Sequence, residues 1–194
     1  MGLAVLVLGL VVFIGSHAVS MARGARTDAV NRIGEVPYKI VYSLVAILGV
    51  VLIGWGYAQY RATGWVQIWN PPGFMRHVTV ALMWPSIVAI AAAYSPGHIK
   101  STLKHPMLVG VKLWAFAHLL ANGDLGSIVL FGSVLAWAVV DRISLKRRSD
   151  AGGPPIPIGG WKNDIVAVIA GTLVYLALGF VFHPLVIGVP AFTR

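Results

Sequence analysis

Cysteine is absent from the 194 residues. That removes disulfides, thiolate metal sites, iron–sulfur clusters, cysteine nucleophiles and covalent haem attachment through Cys-x-x-Cys-His. Charge is scarce as well: 11% of residues are Asp, Glu, Lys or Arg, against about 25% in average globular domains. Acid is the scarcer sign, with 6 Asp+Glu against 15 Lys+Arg. A soluble domain lacks no such polar surface, so a soluble globular fold is excluded. Intrinsic disorder is excluded by the 58% hydrophobic content. The composition fits an integral membrane protein whose apolar surface faces the lipid bilayer. At about 20 residues per span, the length allows five or six helices and no separate soluble domain. Residues 1–194 therefore read as one transmembrane domain, and any chemistry sits among the helices or on short loops.

The apolar runs give an all-α, polytopic transmembrane helical bundle of about six spans. They cover Leu3–Met21, Val36–Tyr60, Met75–Tyr94, Pro106–Ala121, Leu125–Val140 and a run from Asp164 that breaks before Pro184. No basic residue precedes the first run, so it reads as a retained helix rather than a secretory signal. The fourth run is short and opens on Pro106, a favoured first-turn residue. Asn122-Gly123-Asp124 reads as a tight turn, and Gly152–Gly160 as a non-helical loop rich in Pro and Gly. Leu185–Phe192 is apolar but interrupted by Gly188 and Pro190, which suits an interfacial or re-entrant segment and leaves five full spans as the alternative count.

The basic residues set an orientation. With the N-terminus outside, eleven face the cytoplasm: Arg23, Arg26, Arg32, Lys39, Lys100, Lys104, Arg142, Lys146, Arg147, Arg148 and Lys162. Three lie outside: Arg61, Arg76 and Arg194. The positive-inside rule thus places both termini outside. It also accounts for the net charge of +9 without nucleic-acid binding. Trp55, Tyr57, Tyr60, Trp65 and Trp69 gather at the outer end of the second span, as an aromatic belt does.

A strongly polar group inside an apolar span costs a few kcal/mol, roughly, and needs a reason. His17, Lys112, His118 and His183 are such groups. A lone membrane histidine commonly bonds a neighbouring helix. Two of them on facing helices can also clamp a haem iron axially, and the lack of cysteine would make that haem b. His17 and His118 are the pair. Counted from the inner ends of their spans, they differ in depth by roughly 12 Å, which tilt or uncertain helix ends would have to close. Asn122 lies four residues beyond His118 on the same helix face. Lys112 is about 9 Å into the fourth span; its stem can snorkel to the headgroups, or its ammonium can meet Asp141, Asp164 or a haem propionate. His183, next to Pro184, reads as a helix terminator facing water.

The segment Lys104–Asp124, KHPMLVGVKLWAFAHLLANGD, resembles the signature of the NnrU family of bacterial membrane proteins. Gly15-Ser16-His17, Arg76-His77 and His183–Gly188 fit the same family, so the resemblance covers nearly the whole chain. It implies a place in the bacterial inner (cytoplasmic) membrane and a link to denitrification, through nitrite and nitric oxide reductase function. The family is similar to the 15-cis-zeta-carotene isomerase of plants and cyanobacteria, a membrane protein that binds haem b through histidines. The matching positions here are His17 and His118. The resemblance thus implies those two as iron ligands; Asn122, on the His118 face, and Lys112, through a haem propionate, are the further cofactor contacts expected from their places in the fourth span. An apolar polyene substrate and a membrane redox partner are further implications.

Two other classes compete. His105-Pro106-x-x-x-Gly110 is similar to an element of small membrane methyltransferases that bind S-adenosylmethionine, although Lys104 stands where those enzymes have arginine. A non-enzymatic membrane assembly factor would use the basic stretch Arg142–Lys162 as its contact surface. A hydrolase is disfavoured because no Ser/His/Asp set shares one membrane level, and a zinc protease because His-Glu-x-x-His is absent.

Overall fold

The computed structural model describes residues 1–147 and 159–192. Arg148 and most of the Pro/Gly-rich stretch expected as a loop lie outside the described residues. The helices are α1 (Gly2–Met21), α2 (Arg23–Ile33), α3 (Glu35–Thr63), α4 (Met75–Tyr94), α5 (His98–Leu103), α6 (Pro106–Ala121), α7 (Leu125–Arg147) and α8 (Trp161–Ala177). The last continues without a break as a π-helical segment, Leu178–Ile187. Four helices (α1, α3, α4 and α7) and the run Trp161–Ile187 are long and apolar enough to cross a membrane. The chain is therefore an all-α integral membrane protein. α6 has 16 residues, about 24 Å of helix, which is short of a hydrocarbon core about 30 Å thick.

The chain packs as two compact units. The first comprises residues 1–70 and 123–137. In it α1 and α3 run antiparallel with their backbones in close approach. Gly2 meets Tyr60, Leu6 meets Gly56, Gly9 meets Ile53 and Phe13 meets Gly49. A methyl group on Gly9 would sit 2.6 Å from the Ile53 nitrogen, and one on Gly49 2.8 Å from the Phe13 nitrogen. Gly2 and Gly9 are one heptad apart, as are Gly49 and Gly56, so all four fall on one seam. In lipid there is no hydrophobic drive between helices, and close van der Waals contact at small residues takes its place. The other faces of α3 present Ile40, Leu44, Ile47 and Val51 outward, as a lipid-facing surface requires.

α2, expected as loop, is a short polar helix with no buried residue. Gly34, at φ 88°, makes the break between α2 and α3, a conformation glycine adopts without the Cβ penalty. Asn122-Gly123-Asp124 is not the expected tight turn. It is extended, because the segment after α3 supplies backbone partners. Ile68 and Trp69 N–H donate to the Gly123 carbonyl, and Leu125 N–H donates to the Val66 carbonyl. Tyr60 is also not part of the belt. It is 1% exposed, and its hydroxyl accepts from Val66 N–H at 3.0 Å. Trp55, Trp65 and Trp69 stay exposed, as a belt should.

The second unit comprises residues 71–122 and 138–194. Buried hydroxyls on α4 donate across to carbonyls of α6: Ser86 to Gly110 and Thr79 to Ala117, each at 2.8 Å. The pairing order makes α4 and α6 antiparallel. α4 is antiparallel to α8 as well, through Trp84 Nε1 to the Thr172 hydroxyl, Tyr175 hydroxyl to the Val80 carbonyl, and Ser95 hydroxyl to the Asn163 carbonyl. α7 extends to Arg147, beyond the expected Val140.

The final helix corrects the expectation of a break before Pro184. Proline has no N–H and crowds the carbonyl four residues back. Here the helix widens from Leu178 onward and carries Pro184 inside it, closing at Gly188 in the left-handed region with φ 73°. The residues beyond fold back onto their own helix. The Phe192 ring packs on Tyr175 and Phe180, with centroids 5.2 and 4.6 Å away, and against Gly179. The Arg76 guanidinium donates to the carbonyls of Pro190 and Ala191.

Candidate functional site

His118 lies in the last turn of α6. Its Nδ1 is 2.8 Å from the Trp114 carbonyl. A carbonyl can only accept, so the hydrogen is on Nδ1 and the lone pair of the neutral ring is on Nε2. The Trp114 indole flanks the imidazole at 5.2 Å. Asn122 ends the same helix, its backbone and side-chain N–H groups both donating to the His118 carbonyl. Asn122 thus holds the backbone that carries His118.

His183, which the sequence placed in water as a helix terminator, stands instead beside His118. The two imidazole centroids are 6.3 Å apart with ring planes 24° from parallel. His183 Nδ1–H donates to the Leu178 carbonyl at 3.0 Å, five residues back. That reach is set by the wider turn of the π-helix. Both histidines belong to the second unit.

His17 belongs to the first unit and repeats the same anchoring. Its Nδ1–H donates to the Phe13 carbonyl at 2.8 Å, one turn back. Its ring is enclosed by aromatics: Phe13 at 4.3 Å, Trp137 at 5.0 Å and Tyr42 at 5.4 Å. The Trp137 indole N–H beside it is buried without a hydrogen-bond partner.

Lys112 is half-buried on α6. Of its two expected carboxylate partners, Asp141 and Asp164, the second is engaged elsewhere. The Asp164 carboxylate accepts from the backbone N–H of His98 and of Ile99 and lies 2.8 Å from His98 Nδ1, tying the start of α5 to the start of α8. His105 precedes Pro106 at the start of α6, where burial and the nearby Arg142 charge pull its imidazole below the ordinary value. The His105-Pro106-x-x-x-Gly110 element has a packing explanation. Pro106 opens α6, and a methyl group on Gly110 would sit 2.7 Å from the Ser86 carbonyl oxygen. Among the described residues, no group of three or more histidines and carboxylates gathers as a metal cage.

The signal that could have found His183 is the His183-Pro184 pair itself. A proline after an intramembrane histidine either ends the helix or widens it, and only the second outcome keeps the histidine inside.

The family model described as NnrU protein matches residues 5–191. No curated protein and no solved structure matches the chain.

Proposed function

The chain belongs to the NnrU family, and from that premise we propose that it binds haem b in the membrane through histidines. His118 holds the iron, and His17 is the partner that the family resemblance implies. The observation that carries this reading is the shared anchoring: each ring gives its Nδ1–H to a backbone carbonyl one turn back. Metal-ligating histidines are oriented in this way, with the other nitrogen fixed by a second hydrogen bond. The unpaired Trp137 indole N–H near His17 suits an acceptor such as a haem propionate. Lys112, half-buried on the helix that carries His118, is the cation we propose for a propionate.

Haem would supply redox or Lewis-acid chemistry. In an isomerase role it would act on a conjugated polyene, and in denitrification it would support nitrite and nitric oxide reductase function with a membrane redox partner. The chain's own contribution is to hold the imidazoles in one tautomer and, through its apolar surroundings, to keep water away. The location in this reading is the bacterial inner membrane.

Purified protein from haem-supplemented cells is expected to show a Soret band, and His118→Ala to lose it. A colourless preparation that gains no Soret band on reconstitution would overturn the proposal.

A further inference from the structure

Asp124 opens α7 and is fully buried, at 0% exposure. One of its carboxylate oxygens is accounted for: Oδ1 accepts the Ser127 backbone N–H at 2.9 Å, the bond of a helix N-cap. The other, Oδ2, is buried and has no hydrogen-bond partner. No ion pair reaches Asp124 among the described residues. Buried polar atoms are nearly always paired, and an exception needs an explanation such as a bound ion. We infer that Asp124 Oδ2 is the anionic ligand of a small monovalent metal cation such as sodium, held together with the hydroxyl oxygens of Ser127 and Tyr57. The inference stands apart from the haem reading and concerns the first unit alone.

The first argument is the donor set. Ser127 is also 0% exposed, and its Oγ lies 2.6 Å from the Tyr57 hydroxyl. A hydroxyl that makes one such bond still has lone-pair capacity left. The Asp124 charge is near enough to act on that Tyr57 hydroxyl. These groups offer oxygen only, the ligand type of hard cations.

The second argument is charge. The other acids of the first unit are Asp28 in α2 and Glu35 at the start of α3. Glu35 is about 33 Å of helix away from Tyr57. Arg61 acts on the same Tyr57 hydroxyl, yet it makes no hydrogen bond to Oδ2. One carboxylate balances one positive charge. A divalent ion would keep an uncompensated charge in a low-dielectric interior, which is costly, and calcium takes six to eight oxygens, roughly, with several carboxylates among them.

The third argument is enclosure. The Tyr60 ring packs on Gly126, where a methyl group would overlap it. Backbone bonds from Ile68 and Trp69 to Gly123, and from Leu125 to Val66, tie the loop after α3 to the start of α7. Bulk counter-ions therefore do not reach Oδ2, and a large organic ammonium has no room beside it. A small ion stripped of its water fits that enclosure.

The test is thermal unfolding of the full chain in detergent, with sodium chloride exchanged for choline chloride at constant ionic strength. Sodium is expected to raise the wild-type midpoint by roughly 2–4 °C once it exceeds its dissociation constant about five-fold. Asp124→Asn keeps an N-cap acceptor and removes the charge, and its midpoint is expected to be equal in the two salts. Ser127→Ala is expected to need several-fold more sodium for the same rise. A wild-type midpoint that ignores sodium overturns the inference, because a water or a proton then satisfies Oδ2. An Asp124→Asn protein that responds like the wild type also overturns it, because sodium then acts elsewhere. Should Asp124→Asn not fold, Ser127→Ala decides, and an unchanged sodium dependence there overturns the site. A wild type that responds to calcium at far lower concentration than to sodium overturns the monovalent assignment.

Discussion

Single side chains carry the argument where polarity meets lipid. His17 and His118 were legible in the sequence because so few polar groups interrupt the apolar runs. His183 was visible as a residue but not as a neighbour, since its partner lies 65 positions away and pairing across helices leaves no mark in one sequence. Asn122 was placed on the His118 face by helical spacing; the structure gives it a definite duty, closing α6 on the His118 carbonyl. The glycines of the α1–α3 seam make a residue-scale prediction. Gly9→Ala and Gly49→Ala each put a methyl group under 3.0 Å from backbone atoms of the facing helix. Backbone cannot swing aside as a side-chain tip can, so each is expected to destabilise by about 1–3 kcal/mol. Gly54→Ala meets nothing within 4 Å, and alanine is the better helix former, so it should be neutral or stabilising. Unfolding midpoints in detergent for the three variants check this; equal losses at Gly9 and Gly54 would contradict the seam.

Elements were read with uneven success, and the reasons are physical. α4 and α6 fall on the expected residues, Met75–Tyr94 and Pro106–Ala121, because Ser95-Pro96-Gly97 and Pro106 are strong local punctuation. α2 and α5 were missed because short polar helices have no apolar run to announce them. The π-helical end of the last span was missed because Pro184 reads as a stop, and only the fold shows that the chain widens around it. The fold-back of residues 188–192 explains how that widened turn is kept. Arg76→Ala removes the donor from two carbonyls and is expected to speed amide hydrogen exchange across the segment 178–192, leaving α1 and α3 unchanged. Exchange that rises equally everywhere would mean that Arg76 supports the whole fold rather than this element.

For the whole molecule, the decisive feature is the count of crossings. Among the described residues five runs are long enough to span, and α6 is short. If α6 crosses, six crossings return the chain to the side it started from; if it does not, the two termini part company. With six crossings and the N-terminus outside, eleven basic residues of the sequence would face the cytoplasm against three outside, the asymmetry the positive-inside rule favours, so the expected orientation has both termini outside and α6 crossing. A reporter fused after Arg194 that works only outside the cytoplasm should be active there. Activity of a cytoplasm-only reporter at the same position would contradict the orientation.

Composition alone determined that this chain lives in lipid, because 11% charge cannot clothe a water-soluble surface. Local pattern determined most helix positions, since an apolar run of about 20 residues has one stable form in a bilayer. The Lys104–Asp124 segment determined the family. Tertiary structure decided what those could not. It set the register in which glycines of α1 meet the backbone of α3, the extended pairing of Gly123 with Ile68 and Trp69, and the approach of His183 to His118. Each depends on which helix faces which. Interhelical choice in a membrane rests on close packing and hydrogen bonds between distant segments, and that information exists only once the segments have met.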